Sequence, residues 1–105
     1  MQRAIIIIRD GRSFLAQGCH WNYGQQLHDR LTAHHATAED ARELVIGNRI
    51  GSVEQDGKVN RNTPDYPRRR FRTITAAARV EEHITIHYHD GTGWQFASSP
   101  RAIRP

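Results

Sequence analysis

A chain of 105 residues with a net charge of +4 and a hydrophobic fraction of 37% has the size of one domain and the composition of a folded one. Its one cysteine excludes an internal disulfide framework and a four-cysteine zinc site, and fits a reducing compartment. The run Ile5-Ile6-Ile7-Ile8 gives way at once to Arg9-Asp10, so it is too short for a signal core or for the roughly 20 apolar residues of a membrane span. The expectation is a cytoplasmic protein without membrane contact.

In chain order, Ala4 to Ile8 is a continuous aliphatic run, which predicts a strand buried on both faces. Asp10-Gly11 supplies a tight hairpin turn, and Ser13 to Gln17 returns as the second strand, with Gly18 expected to interrupt it. Asn22 and Gln25 have the spacing of a capping box, so a helix should open near Tyr23 and align Tyr23, Leu27, Leu31 and His34 or His35. Thr37 and Asp40 repeat the cap signal for a second helix with Ala41, Leu44 and Val45 inward, stopping at Gly47 or Asn48. From 51 to 70, Gly57, Asn60, Asn62, Pro64 and Pro67 punctuate a polar, basic loop.

Order returns with Phe71, Ile74, Ala76, Ala78 and Val80, whose spacing predicts a strand. Ile84, Ile86 and Tyr88 then alternate with Thr85, His87 and His89, the period of a strand with one exposed face. Asp90-Gly91-Thr92-Gly93 makes a turn, Trp94-Gln95-Phe96 a last strand, and residues 98–105 a frayed tail. The sum, β-β-α-α-loop-β-β-β, is a single α+β domain over residues 1–105. It should form an antiparallel sheet of about five strands with a two-helix layer on one face.

The positive excess is concentrated. Lys58, Arg61, Arg68, Arg69, Arg70 and Arg72 stand against Asp65 alone between 58 and 72. Arginines interleaved with Tyr66 and Phe71 suit contact with phosphate or with an acidic protein surface. Arg68, Arg69, Arg70, Arg72 and Tyr66 are therefore the candidate binding residues, with Trp21 and Tyr23 at the first helix start as aromatic anchors. His83, His87 and His89 share one parity, and with Cys19 or His20 could chelate zinc or nickel. Typical zinc spacings are missing, and a polar strand face is the simpler reading. Cys19 with His34 or His35 could form a thiolate pair, although a lone cysteine more often serves as a small core residue. No glycine-rich phosphate loop or recognisable acid pair is present, so no cofactor or metal is implied and the expectation is a non-enzymatic protein.

Cys19-His20-Trp21, the helix Gln25 to His35, and Thr37-Ala38-Glu39-Asp40-Ala41-Arg42-Glu43-Leu44-Val45 resemble a group of small phage and prophage proteins. That group carries a strand ending in Cys-His-Trp-Asp, a helix with Leu-xx-His-Tyr, and a Glu-Leu-rich helix closed by glycine. Its C-terminal part is similar to Glu81-Glu82-His83-Ile84 through Asp90-Gly91 and Trp94, while its Asp-Gly-Tyr-Pro is replaced here by Asn22-Tyr23-Gly24. The resemblance implies an origin in a mobile element and a protein that binds and inhibits a host defence assembly, restriction and CRISPR-type complexes included. The partner implied is a host protein or ribonucleoprotein complex. A small nucleic-acid-binding module and a metal- or thiol-dependent enzyme are the alternatives, and an exposed strand edge could also pair two copies as a homodimer.

Overall fold

The computed structural model describes residues 3–47, 49–63, 68–80 and 83–105. β1 (Ala4–Asp10) and β2 (Ser13–Cys19) form a hairpin in unbroken register, from Ala4 opposite Cys19 to Asp10 opposite Ser13. Gly11 has φ +61°, and a glycine of positive φ at the first central position is what a II′ hairpin turn uses. Gly18, expected to interrupt β2, pairs regularly with Ile5.

The doubly apolar β1 lies at the centre of a five-stranded sheet ordered β5-β2-β1-β6-β7, where β5 is Arg69–Phe71, β6 Thr85–His89 and β7 Trp94–Ala97. The fold is α+β, with one feature the sequence reading lacked. β6 runs parallel to β1, while the other three pairings are antiparallel. A strand buried on both faces needs a neighbour on each edge. The hairpin supplies one, and the other arrives only after a long crossover, the connection that parallel pairing requires.

Ala4, Ile6, Ile8, Leu15 and Cys19 face a layer made by α1 (Gly24–His34) and α2 (Ala38–Ile46), which bury Leu27, Leu31, Ala41, Leu44 and Val45. Thr37 caps α2 by accepting the Asp40 N–H at 3.0 Å. Ile5, Ile7, Phe14, Ala16, Ile86 and Tyr88 face the other side, covered by α3 (Ile74–Ala78) and Ile103.

Three expectations need correction. The strand expected from Phe71 to Val80 ends at Phe71, because Thr73 accepts the Ala76 N–H at 3.1 Å and opens α3. Its buried residues Ile74, Ala77 and Ala78 follow helical spacing, and an alanine run favours a helix over a strand. The 51–70 segment contains a small antiparallel hairpin, β3 (Ser52–Val53) with β4 (Val59–Asn60). The end of α1 holds its tip, as His34 Nε2 donates to Gln55 O and His35 Nε2 to Gly57 O, each at 2.9 Å. The tail expected to fray is docked: Ile103 is buried, and the Gln95 amide clasps the Arg104 N–H and C=O, each at 2.8 Å. Among the described residues no helix is long and apolar enough to cross a membrane.

Candidate binding surface at the hairpin end of the sheet

The β1–β2 turn brings Arg9 and Arg12 to one end of the sheet, on either side of Asp10-Gly11. Phe71 pairs with Phe14, so β5 runs toward the same end and delivers Arg70 and Arg72 there. Asp10 organises the cluster. Its carboxylate accepts from Arg70 Nη1 at 2.8 Å and from Arg42 Nη1, reaching over from α2. Arg70 also donates to Ser13 Oγ, which itself donates to Asp10 O at 3.0 Å. The hydrogen bonds from Arg70 and then Arg42 hold the Asp10 carboxyl below its ordinary range. Five exposed arginines (9, 12, 42, 70 and 72) thus gather at this end of the sheet, two of them, Arg42 and Arg70, on the Asp10 carboxylate. The nearby Asp90 carboxylate is occupied in its own turn by the Thr92 N–H and Oγ1–H and the Gly93 N–H.

The rest of the basic segment is partly structural. Arg68 Nη1 donates to Ile46 O at 2.7 Å and Arg61 Nη2 to Leu44 O at 3.3 Å, placing two cations on the last carbonyls of α2. That is where the helix dipole is negative and its carbonyls lack intrahelical partners. Burial pushes the Arg61 pKa down. Arg69 is exposed on β5 with the opposite parity. Tyr66 lies outside the described residues.

Trp21 and Tyr23 are at the other end of the sheet, separated from the arginine cluster by the seven residues of β1, about 20 Å. They are 45% and 42% exposed. Trp21 N–H donates to Gly51 O at 2.8 Å, and its ring lies so close to Gly51 that a Cβ there would meet Cζ3 at 2.6 Å. Arg3 sits over the Tyr23 ring, 5.9 Å from its centroid. The aromatic anchors and the arginines predicted to act together are therefore on separate surfaces. Asn22 does not cap α1: Tyr23 is the residue before the helix and makes no side-chain cap bond. The Asn22 side chain turns inward instead and donates to Val53 O at 2.9 Å.

The histidine face expected to be exposed is buried, because α1 and α2 cover that side of β6. His87 and His89 are 0% and 2% exposed. His89 Nε2 donates to Ala36 O at 2.7 Å, and its Nδ1 accepts the Gly91 N–H at 3.1 Å. Thr85 Oγ1 accepts the Gly24 N–H at 3.0 Å and shares a hydrogen bond with His87 Nε2 at 2.8 Å. His87 stacks on Phe96, with centroids 5.1 Å apart, and its Nδ1 is buried without a partner. Burial, reinforced by His28 and His83, pushes its pKa down to about 3, so the ring is neutral at ordinary pH. His83 Nε2 donates to Ala78 O at 2.6 Å. Among the described residues no group of three His, Cys, Asp or Glu side chains is placed to hold a metal ion.

Cys19 is fully buried, donating to Asn22 Oδ1 at 3.0 Å, and burial pushes its thiol up to about 11. A nucleophile needs the thiolate, and His34 and His35 are committed to the β3–β4 tip. These two histidines border an open cleft of about 410 Å³ with Asp40, Glu43 and Arg61. Sequence reasoning missed Arg9, Arg12, Arg42 and Asp10 as members of the basic surface. The Asp-Gly turn was the available signal for Arg9 and Arg12; nothing local pointed to Arg42. Comparison of the chain with family models, curated proteins and solved structures finds no match.

Proposed function

We propose that this protein is a non-enzymatic binding module that docks the arginine-rich hairpin end of its sheet onto an acidic protein surface. Following the resemblance to phage proteins, the target is a host defence complex that docking inhibits. The observation that carries this reading is the pairing of Arg42 and Arg70 on Asp10, with Arg9, Arg12 and Arg72 at the same end of the sheet. Two of them are held in place by that carboxylate, so less side-chain freedom is lost on docking. Arginine uses a planar fork of five donors, which leaves Arg42 and Arg70 capacity for a second carboxylate. Base stacking on single-stranded nucleic acid calls for aromatic rings presented among the cations; among the described residues, Trp21 and Tyr23 are at the far end of the sheet and Phe71 packs against the core.

The test is affinity capture from host lysate, with and without nuclease, using the wild-type chain and an Arg9→Glu, Arg12→Glu, Arg72→Glu variant. These three positions avoid the arginines that cap α2 or bind Asp10, so the variant should keep its circular dichroism and melting profile. A stoichiometric protein that survives nuclease and is lost with the variant supports the reading. Capture unaffected by charge reversal overturns it. Recovery of nucleic acid alone, with affinity falling steeply as salt rises, replaces it with the nucleic-acid module.

A further inference from the structure

The end of the sheet opposite the arginine cluster has a chemistry of its own. Trp21, Asn22 and Tyr23 connect β2 to α1, and their side chains alternate. Asn22 is 6% exposed and turned inward, bonded to Cys19 and to both backbone groups of Val53. The rings on either side of it are turned outward, each more than two-fifths exposed. Two residues of extended chain set them about 7 Å apart along the backbone. Both rings are held in place. Trp21 rests on Gly51, where only a glycine leaves room for it, and meets the His20 ring edge-on at 5.1 Å. Arg3 sits over Tyr23, its own backbone fixed by an N–H bond to Cys19 O at 3.0 Å and an Ile84 N–H bond to its carbonyl at 2.9 Å. Among the described residues no carboxylate pairs with the Arg3 guanidinium.

Tryptophan and tyrosine offer large contact areas at little cost in conformational freedom. The ligand that suits this pair beside an arginine is planar, with open ring faces and a negative charge alongside. An acidic peptide answers to Arg3 alone, and an apolar one to the rings alone. A nucleic-acid strand answers to both at every nucleotide. We infer that Trp21, Tyr23 and Arg3 form a second binding surface, which stacks bases of a single-stranded nucleic acid on the two rings and holds its phosphate at Arg3. A duplex keeps its bases stacked on one another and offers no free face. The surface is about 20 Å from the arginine end, so one chain can hold a protein and a strand of the same assembly at once.

The test uses the purified full chain and a labelled oligothymidylate of about ten nucleotides, within the usual site sizes for such surfaces, read by fluorescence anisotropy. The wild type should bind the single strand more tightly than a duplex of equal length. Trp21→Ala and Tyr23→Ala should each weaken binding by about tenfold with the melting profile kept. Tyr23→Phe, which retains the ring and the same charge, should bind like the wild type. The strand should also quench tryptophan fluorescence in the wild type and not in Trp21→Phe, whose remaining Trp94 is tied to His35 O. No binding of the single strand up to the solubility limit overturns the inference. So does an affinity that Tyr23→Ala leaves unchanged, since the contact would then lie with the distant arginines. Each pair of ring variants has equal charge, so neither result bears on the acidic-surface reading, which charge reversal at Arg9, Arg12 and Arg72 tests separately.

Discussion

The side-chain amide of Asn22 stands beside Val53 as a strand neighbour would. Its Nδ2–H donates to Val53 O at 2.9 Å, and its Oδ1 receives the Val53 N–H at 3.4 Å while also accepting from Cys19 Sγ at 3.0 Å. One buried side chain thus ties the end of β2 to the β3–β4 hairpin. Arg30 Nη1 adds a second bond to the same Val53 carbonyl at 3.0 Å.

Asn22→Ala strands the buried Val53 N–H and leaves the Cys19 thiol only its longer contact to Gly51 O at 3.7 Å, and should cost about 2–4 kcal/mol in urea unfolding. Asn22→Asp should not rescue stability, because it sets a carboxylate against the Val53 carbonyl. A loss under half a kilocalorie, roughly the scatter of surface substitutions, would show that Asn22 is not a structural tie.

Stability should fall in acid through His87. Its folded pKa, about 3, lies below its ordinary 6.5, so the unfolded chain takes up the proton first. The stabilising contribution is complete above pH 6.5 and is lost as pH falls from there toward 3. The slope is about 1.4 kcal/mol per pH unit. His87→Leu removes the titrating ring and should flatten that acid limb by one proton in denaturant titrations repeated across the window. An unchanged slope would place the acid sensitivity elsewhere.

Cys19 should be inert in the native state. With its thiol raised to about 11 and no exposed surface, alkylation near neutral pH should proceed only through unfolding. It should be at least about a thousandfold slower than in urea. Native labelling at the rate of a free thiol would contradict the burial and reopen a reactive role for this residue.

Local chemistry was legible wherever one short segment contained the whole signal. Asp10-Gly11 marked the first turn, Thr37 with Asp40 marked the start of α2, and Leu27 with Leu31 marked the inner face of α1. The signal was ambiguous where two periods fitted the same residues. Ile74, Ala76 and Ala78 alternate like a strand, yet Ile74, Ala77 and Ala78 are the buried set of a short helix. Asn22 was ambiguous in another way, since its amide suits a helix cap and a buried tie equally well.

By itself the sequence determined the α+β class, the central place of β1 and the concentration of positive charge, because composition and short-range period are properties of neighbouring residues. Only the tertiary structure decided which arginines are structural and which form a surface. Arg61 and Arg68 are drawn to the carbonyls at the end of α2, and Arg70 meets Arg42 at Asp10. It also buried His87 and His89 and separated Trp21 and Tyr23 from the basic cluster. The physical reason is that burial and electrostatic pairing depend on what packs across space, and residues 10, 42 and 70 share no sequence window.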